Sequence, residues 1–131
     1  MNLTEQQLLD NYTKLRNIVN ETFTGERLDN LNKMYDFFED RIIVAPASGK
    51  PNYHYAFAGG YVLHVLHIVD TARKLTKVYE SIGAVIDYTD EELVFAGLHH
   101  DLGKVGDLEY EYYLVQEDDW RRKKLNELFT Q

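Results

Sequence analysis

Residues 93–104, LVFAGLHHDLGK, combine an apolar helical run with a cluster of side chains that can bind a metal. The apolar positions recur at helical spacing, and the glycine in the closing Leu-Gly-Lys predicts the end of a helix near residue 103. The preceding residues 89–92, Thr-Asp-Glu-Glu, form a capping-box pattern that predicts where this helix begins. The pattern therefore places His99, His100 and Asp101 at the closing end of a mostly apolar helix.

Three more helices are predicted before this segment. A capping box and apolar spacing predict the first over residues 5–21, and the same periodicity predicts a second from just after Gly25 to about Arg41. Proline, glycine and serine then predict a loop at residues 46–51, and a third helix with one mostly apolar side is expected over residues 59–79. The expected fold class is all-α.

The C-terminal part of the chain gives a mixed pattern. Residues 108–115 are rich in tyrosine and partly alternating, which predicts a short extended segment. Residues 118–131 begin with acids, continue with bases and carry apolar side chains at helical spacing, which predicts a last helix. We find no sign of a linker, so residues 1–131 are expected to belong to one domain.

Composition excludes several classes of function. The chain has 131 residues, and 14 Lys+Arg against 22 Asp+Glu give a net charge of −8, which disfavours a broad grip on duplex DNA or on an anionic membrane surface. The absence of cysteine excludes disulfides and thiolate metal sites. Without an apolar run long enough to span a bilayer or a signal-peptide pattern at the start, the expected location is the cytoplasm.

Histidine and aspartate side chains within the apolar helices indicate a metal site. A buried polar group without a partner costs about 1–3 kcal/mol, and a divalent cation bound by imidazole and carboxylate satisfies several such groups at once. His100 and Asp101 could share an ion with His64 or His67 from the preceding helix. The structural alternative is that His100 donates to a backbone carbonyl while Asp101 caps a neighbouring group.

Two separated motifs carry a family resemblance. Residues 59–64, GGYVLH, and residues 96–104, AGLHHDLGK, resemble the HD-domain superfamily of metal-dependent phosphohydrolases. Residues 45–60, APASGKPNYHYAFAGG, are similar to the HD domains of bacterial 3′-5′ exoribonucleases and of small phage-encoded relatives. The resemblance covers about residues 44–106. It implies an HD-type helical bundle that binds a divalent ion such as Mn, Fe, Mg, Ni, Co or Zn.

The resemblance also implies roles for individual residues. His64 would be the first metal ligand, with His100 and Asp101 as the paired ligands, and Asp101 would also orient the attacking water. The fourth ligand of the family is a later aspartate on another helix. Its place is not matched by Asp107, Asp118 or Asp119, which come too soon in the chain. We therefore expect either that the C-terminal helices of the domain lie outside residues 1–131 or that the site is incomplete.

Further residues have candidate roles around these ligands. Lys104 would contact a substrate phosphate, or would only complement the helix dipole. His54 would bind phosphate or protonate the leaving group, with an ordinary surface histidine as the alternative. His67, Asp70 and His99 are candidates for supporting the ligands, and Asp70 could orient His67 or, with it, hold a second metal.

The leading functional hypothesis is a metal-dependent phosphohydrolase that acts on a nucleotide or phosphodiester. Its expected partner is a small nucleotide or a short single-stranded nucleic acid. The alternative is a catalytically degraded HD-fold module that binds or regulates a partner. Oxygenase chemistry at Fe²⁺ is a third hypothesis, since two histidines and one carboxylate also suit non-haem iron.

Overall fold

Four helices form most of the fold in the computed structural model, which describes residues 2–131. Helices α1 to α4 are followed by a 3₁₀ turn, a short helix α5 and two short strands. Their bounds are α1 Glu5–Thr22, α2 Gly25–Val44, α3 Gly60–Ser81, α4 Asp90–His99, 3₁₀ turn Leu102–Val105, β1 Leu114–Val115, α5 Asp119–Lys124 and β2 Phe129–Thr130. The expectation of a mainly helical fold is confirmed.

Capping boxes fix the start of two helices. The Thr4 hydroxyl accepts from the Gln7 backbone N–H, and the Gln7 side chain accepts from the Thr4 backbone N–H. Thr89 and Glu92 make the same pair of bonds at the start of α4. Each box satisfies backbone donors that a helix terminus leaves without partners, so both helices begin where the sequence predicts.

The core lies around α3, which packs against α1, α2 and α4. Apolar side chains from all four helices are almost fully buried there, including Leu15, Val19, Phe23, Ile42, Val62, Val65, Val69, Val94 and Leu98. Gly97 of α4 faces Val69 of α3, and a Cβ at this glycine would lie 3.1 Å from Val69 Cγ2. The small residue lets the two helices approach closely and brings the end of α4 beside the first turns of α3.

A loop at residues 45–59 connects α2 to α3 and is held by backbone hydrogen bonds at both ends. The Tyr61 N–H donates to the Ala45 carbonyl at 2.9 Å, and the Gly59 N–H donates to the Val44 carbonyl at 3.1 Å. Gly59 has a φ of +81°, and a Cβ there would lie 2.1 Å from Leu8 Cδ2 of α1. Glycine is therefore required where this loop enters α3.

The prediction of a helix over residues 118–131 is wrong beyond residue 124. Asn126 has a φ of +54°, which takes the chain out of the helix. Phe129–Thr130 then pairs antiparallel with Leu114–Val115, in the register Leu114 with Thr130 and Val115 with Phe129. Helix α5 buries no side chain, so its apolar spacing does not reflect packing on a core.

Two other boundaries also differ from expectation. Helix α4 ends at His99 rather than near residue 103, because the chain turns into the 3₁₀ segment Leu102–Val105. Within the predicted extended segment at residues 108–115, only Leu114–Val115 forms a strand. No helix among residues 2–131 has the length and apolar character needed to cross a membrane.

Candidate metal centre

Three side chains predicted to bind metal meet at one point. His64 Nε2 lies 3.3 Å from His100 Nε2, and each of these nitrogens lies 3.3 Å from Asp101 Oδ2. Metal bonds of about 2.0–2.2 Å separate neighbouring ligand atoms by roughly 3.0–3.5 Å. The three donor atoms therefore have the spacing and the chemistry to share one divalent cation.

The fold positions each of these ligands. His64 lies early in α3, His100 is the residue that closes α4, and Asp101 follows it outside the helix with φ −112° and ψ 17°. On an ideal helix, two adjacent residues such as His100 and Asp101 point about 100° apart. Asp101 instead leaves the helical conformation, and its carboxylate turns back towards both imidazoles.

A backbone carbonyl holds the His100 ring in one orientation. His100 Nδ1 donates to the Gly97 carbonyl at 2.8 Å, which leaves the Nε2 lone pair facing His64 and Asp101. Such a bond from the distal ring nitrogen is typical of histidines that bind metals, since it fixes both the tautomer and the ring direction. The alternative role expected for His100, donation to a carbonyl, is thus compatible with metal binding.

Lys104 lies beside the carboxylate. Its Nζ is 3.2 Å from Asp101 Oδ2 and donates to the Ala47 carbonyl at 2.8 Å. Burial alone would raise the pKa of Asp101, but the hydrogen bond and charge of Lys104, with the neighbouring imidazoles, lower it overall. Asp101 is therefore ionised at neutral pH, as a metal ligand must be, while the ammonium group competes with a cation for the same oxygen.

His54 reaches the cluster from the loop at residues 45–59. Atoms of His54, His64 and Asp101 that can bind metal lie within 4.8 Å of one another, and the rings of His54 and His64 are 4.8 Å apart. Burial, followed by the charge of His54, lowers the pKa of His64 despite the opposing effect of Asp101. A lowered pKa favours the neutral imidazole, which is the form that binds metal.

His67 and Asp70 do not form the pair considered from the sequence. The Tyr55 hydroxyl is hydrogen-bonded to His67 Nδ1, while Asp70 pairs with Lys74 at 2.7 Å on the exposed side of α3. The i,i+4 salt bridge takes the carboxylate away from the imidazole three residues before it. Asp70 therefore does not orient His67.

His99 lies on another side of α4. Its Nδ1 donates to the Phe95 carbonyl at 2.8 Å, and its Nε2 lies 2.8 Å from the Tyr35 hydroxyl, which is placed to donate to it. Burial lowers the pKa of His99 although the bond to Phe95 opposes this effect. Both ring nitrogens are thus engaged with residues outside the cluster, so His99 has a packing role there.

The three aspartates considered for a fourth ligand are engaged elsewhere. Asp107 accepts from the backbone N–H groups of Glu109 and Tyr110, Asp118 caps α5, and Asp119 pairs with basic residues of that helix. Within residues 2–131, the fourth ligand that the family resemblance implies is therefore not one of these three. The cluster has the donors His64, His100 and Asp101, and a nitrogen of His54 lies within 4.8 Å of the donor atoms of His64 and Asp101.

Sequence reasoning missed Tyr55 as a member of this site. Its ring lies 5.8 Å from the ring of His64 and 5.5 Å from that of His67. Tyr55 also has a φ of +49°, a backbone conformation that tyrosine rarely adopts. The sequence feature related to Tyr55 is the Gly59-Gly60 pair. Gly60 lies against the Tyr55 carbonyl oxygen, and a Cβ at this glycine would be only 2.0 Å from it.

The cluster is open to solvent. The side chains of His64, Asp101 and His100 are 12%, 25% and 38% exposed, so a water molecule or a small anion can reach them. Two open clefts, of about 360 and 520 Å³, lie elsewhere, and the second is lined in part by His99. Chemistry at the cluster would therefore involve a substrate that approaches from the surface.

Comparisons with family models, curated proteins and solved structures find no match to this chain. The HD-domain membership expected from residues 44–106 accordingly stays a prediction.

Proposed function

We propose that this protein is a metal-dependent phosphohydrolase that acts on a nucleotide or a phosphodiester. The observation that carries the proposal is the meeting of His64 Nε2, His100 Nε2 and Asp101 Oδ2 at mutual distances of 3.3 Å. The bond from His100 to the Gly97 carbonyl supports it, because it leaves Nε2 free for a cation. The reaction class comes from the resemblance of residues 59–64 and 96–104 to the HD-domain superfamily.

The residues around the cluster fit the needs of phosphoester hydrolysis. A bound divalent ion would lower the pKa of a coordinated water and offset charge on the phosphoryl oxygens. Asp101 would hold the ion through its ionised carboxylate and would orient that water. Lys104 lies 3.2 Å from the Asp101 carboxylate and can turn its ammonium group to a phosphoryl oxygen. His54, exposed above His64, can donate a proton to the leaving oxygen.

Substitution of Asp101 tests the proposal. Asp101→Ala should lose metal binding and hydrolysis together while the helical circular-dichroism signal persists, because it removes the only carboxylate among the three donors. Bound Mn²⁺ can be measured by equilibrium dialysis. Hydrolysis can be followed by phosphate release from nucleotides, and by chromatography of the nucleotide products formed from cyclic dinucleotides and short RNA.

A matched control is Asp70→Ala, which removes an exposed carboxylate of α3 paired with Lys74. It should leave metal content and turnover unchanged. Metal content that is equal in wild type and Asp101→Ala would contradict the proposed function.

One observation favours the second candidate, a degraded HD-fold module that binds or regulates a partner. The Lys104 ammonium group lies where it neutralises Asp101, with Nζ 3.2 Å from Oδ2. Full metal occupancy without turnover of any phosphoester would favour this candidate. Phosphate release that a chelator abolishes would exclude it.

A further inference from the structure

Tyr55 has an unfavourable backbone conformation next to the candidate metal centre. Only two residues other than glycine among residues 2–131 have positive φ, Tyr55 at +49° and Asn126 at +54°. Asparagine tolerates this region better than most residues do, whereas a bulky aromatic residue there is strained. Surrounding contacts must therefore hold Tyr55 in place.

Two hydrogen bonds hold it. The Tyr55 hydroxyl is hydrogen-bonded to His67 Nδ1 on α3, and the Ala47 N–H donates to the Tyr55 carbonyl at 3.1 Å. Gly60 provides the room for that carbonyl, because any Cβ there would lie 2.0 Å from the oxygen. The strained residue is thus fixed to α3 by its side chain and to its own loop by its backbone.

The ring of Tyr55 lies among the histidines of the site. Ring centroids of His64, His54 and His67 lie 5.8, 6.2 and 5.5 Å from it. These distances correspond to packing of neighbouring aromatic rings. Tyr55 is therefore one of the residues, with His54, through which this loop packs on the helix containing His64.

His64 needs such a neighbour more than His100 does. The Gly97 carbonyl fixes His100 through Nδ1, whereas the hydrogen bonds that the structure records for His64 within residues 2–131 involve only Nε2. An imidazole without a partner on its distal nitrogen depends on packing for its ring orientation. The rings of Tyr55 and His54 supply that packing.

We propose that Tyr55, held by His67, is a positioning residue that orients the His64 imidazole for metal binding. The inference rests on the proposed function, since it concerns a ligand of the same centre. This role would explain the strained backbone, because the unfavourable φ of Tyr55 goes together with a ring position beside His64.

Substitution by glycine separates this role from a purely structural one. Tyr55→Gly relieves the positive φ but removes the ring, so the free energy of unfolding of the metal-free protein, measured with urea, should stay close to that of wild type. Affinity for Co²⁺, followed by its visible absorption, should fall about tenfold, as is typical when a group that supports a ligand is removed. Tyr55→Phe keeps the ring but loses the hydrogen bond to His67, so its Co²⁺ affinity should lie between those of wild type and Tyr55→Gly.

Asn126→Gly is the matched control, since it relieves a positive φ in the C-terminal segment and should leave Co²⁺ affinity unchanged. Unchanged affinity in Tyr55→Gly would overturn the inference. A loss of affinity matched by an equal loss of unfolding free energy would also overturn it, as would a Tyr55→Phe variant as weak as Tyr55→Gly. If wild type binds no Co²⁺, the proposed function fails and this inference fails with it.

Discussion

Lys104 is the residue whose removal best separates the two candidate functions. Its ammonium group shares Asp101 Oδ2 with any cation bound there, and it also contacts the Ala47 carbonyl. The same positive charge that opposes a cation would attract a substrate phosphate. In the proposed function, Lys104 would therefore have opposite effects on metal binding and on catalysis.

Lys104→Met should raise the affinity for Mn²⁺ severalfold and lower the rate of phosphoester hydrolysis. The change removes the competing charge near Asp101 but keeps an unbranched apolar stem. Mn²⁺ affinity can be measured by electron paramagnetic resonance and turnover by phosphate release. Urea unfolding of the same variant measures how much stability is lost with the hydrogen bond from Lys104 to the Ala47 carbonyl.

Lys74→Met is its matched control, since it removes a similar ion pair, with Asp70, on the exposed side of α3. It should change neither metal affinity nor turnover. Weaker Mn²⁺ binding in Lys104→Met than in this control would contradict competition for Asp101.

Part of the site could be predicted from the sequence because its ligands lie within two short motifs. His64, His100 and Asp101 were identified from those motifs, and the structure brings their donor atoms together. The contact between Tyr55 and His67 depends on a positive φ twelve residues away from the histidine. No periodicity or spacing rule indicates that a tyrosine will adopt this conformation.

Helix ends follow local rules in this chain, and two threonines allow a direct comparison. Thr89 precedes α4 and forms a complete capping box, whereas Thr24 precedes α2 and makes no side-chain capping bond. The two residues are alike in type and in position relative to a helix. They differ in whether the hydroxyl satisfies a backbone donor.

Thr89→Ala should lower the free energy of unfolding by about 1 kcal/mol, the usual effect of losing an N-cap side chain. Thr24→Ala should cost clearly less, because it removes no hydrogen bond. Urea unfolding followed by circular dichroism measures both variants under the same conditions. If both variants lose the same free energy of unfolding, the capping hydrogen bond of the Thr89 hydroxyl adds nothing to stability.

The elements were predictable to the extent that they pack on the core. Helices α1 to α4 bury apolar stripes, so their periodicity gave their positions to within a few residues. Residues 118–131 have similar spacing but bury little, and a positive φ at Asn126 ends the helix. Apolar spacing alone cannot distinguish a short exposed helix from a turn followed by a strand.

The molecule as a whole has an uneven distribution of buried contacts. Val65, Val69, Val94 and Leu98 in α3 and α4 are at most 1% exposed. In the C-terminal segment, residues 106–131, Leu114 and Val115 are 51% and 68% exposed, although Tyr113 and Gln116 are buried. The candidate metal ligands His64, His100 and Asp101 therefore lie on or next to the well-packed helices α3 and α4, apart from the exposed pair of strands β1 and β2.

This distribution predicts two classes of amide hydrogen exchange. Amides of α3 and α4 should exchange slowest, through global unfolding, because opening them exposes the core. Amides of Leu114, Val115 and Phe129 should exchange much faster through local opening, since few buried contacts are lost when strands β1 and β2 separate. The exchange rates of these strand amides should depend little on low urea concentrations, whereas rates in α3 should rise steeply with urea.

Exchange measured by mass spectrometry or NMR at several urea concentrations distinguishes the two classes. If strands β1 and β2 show the same protection and the same urea dependence as α3, the C-terminal segment unfolds together with the core. Substitutions in residues 106–131 would then alter metal affinity through global stability.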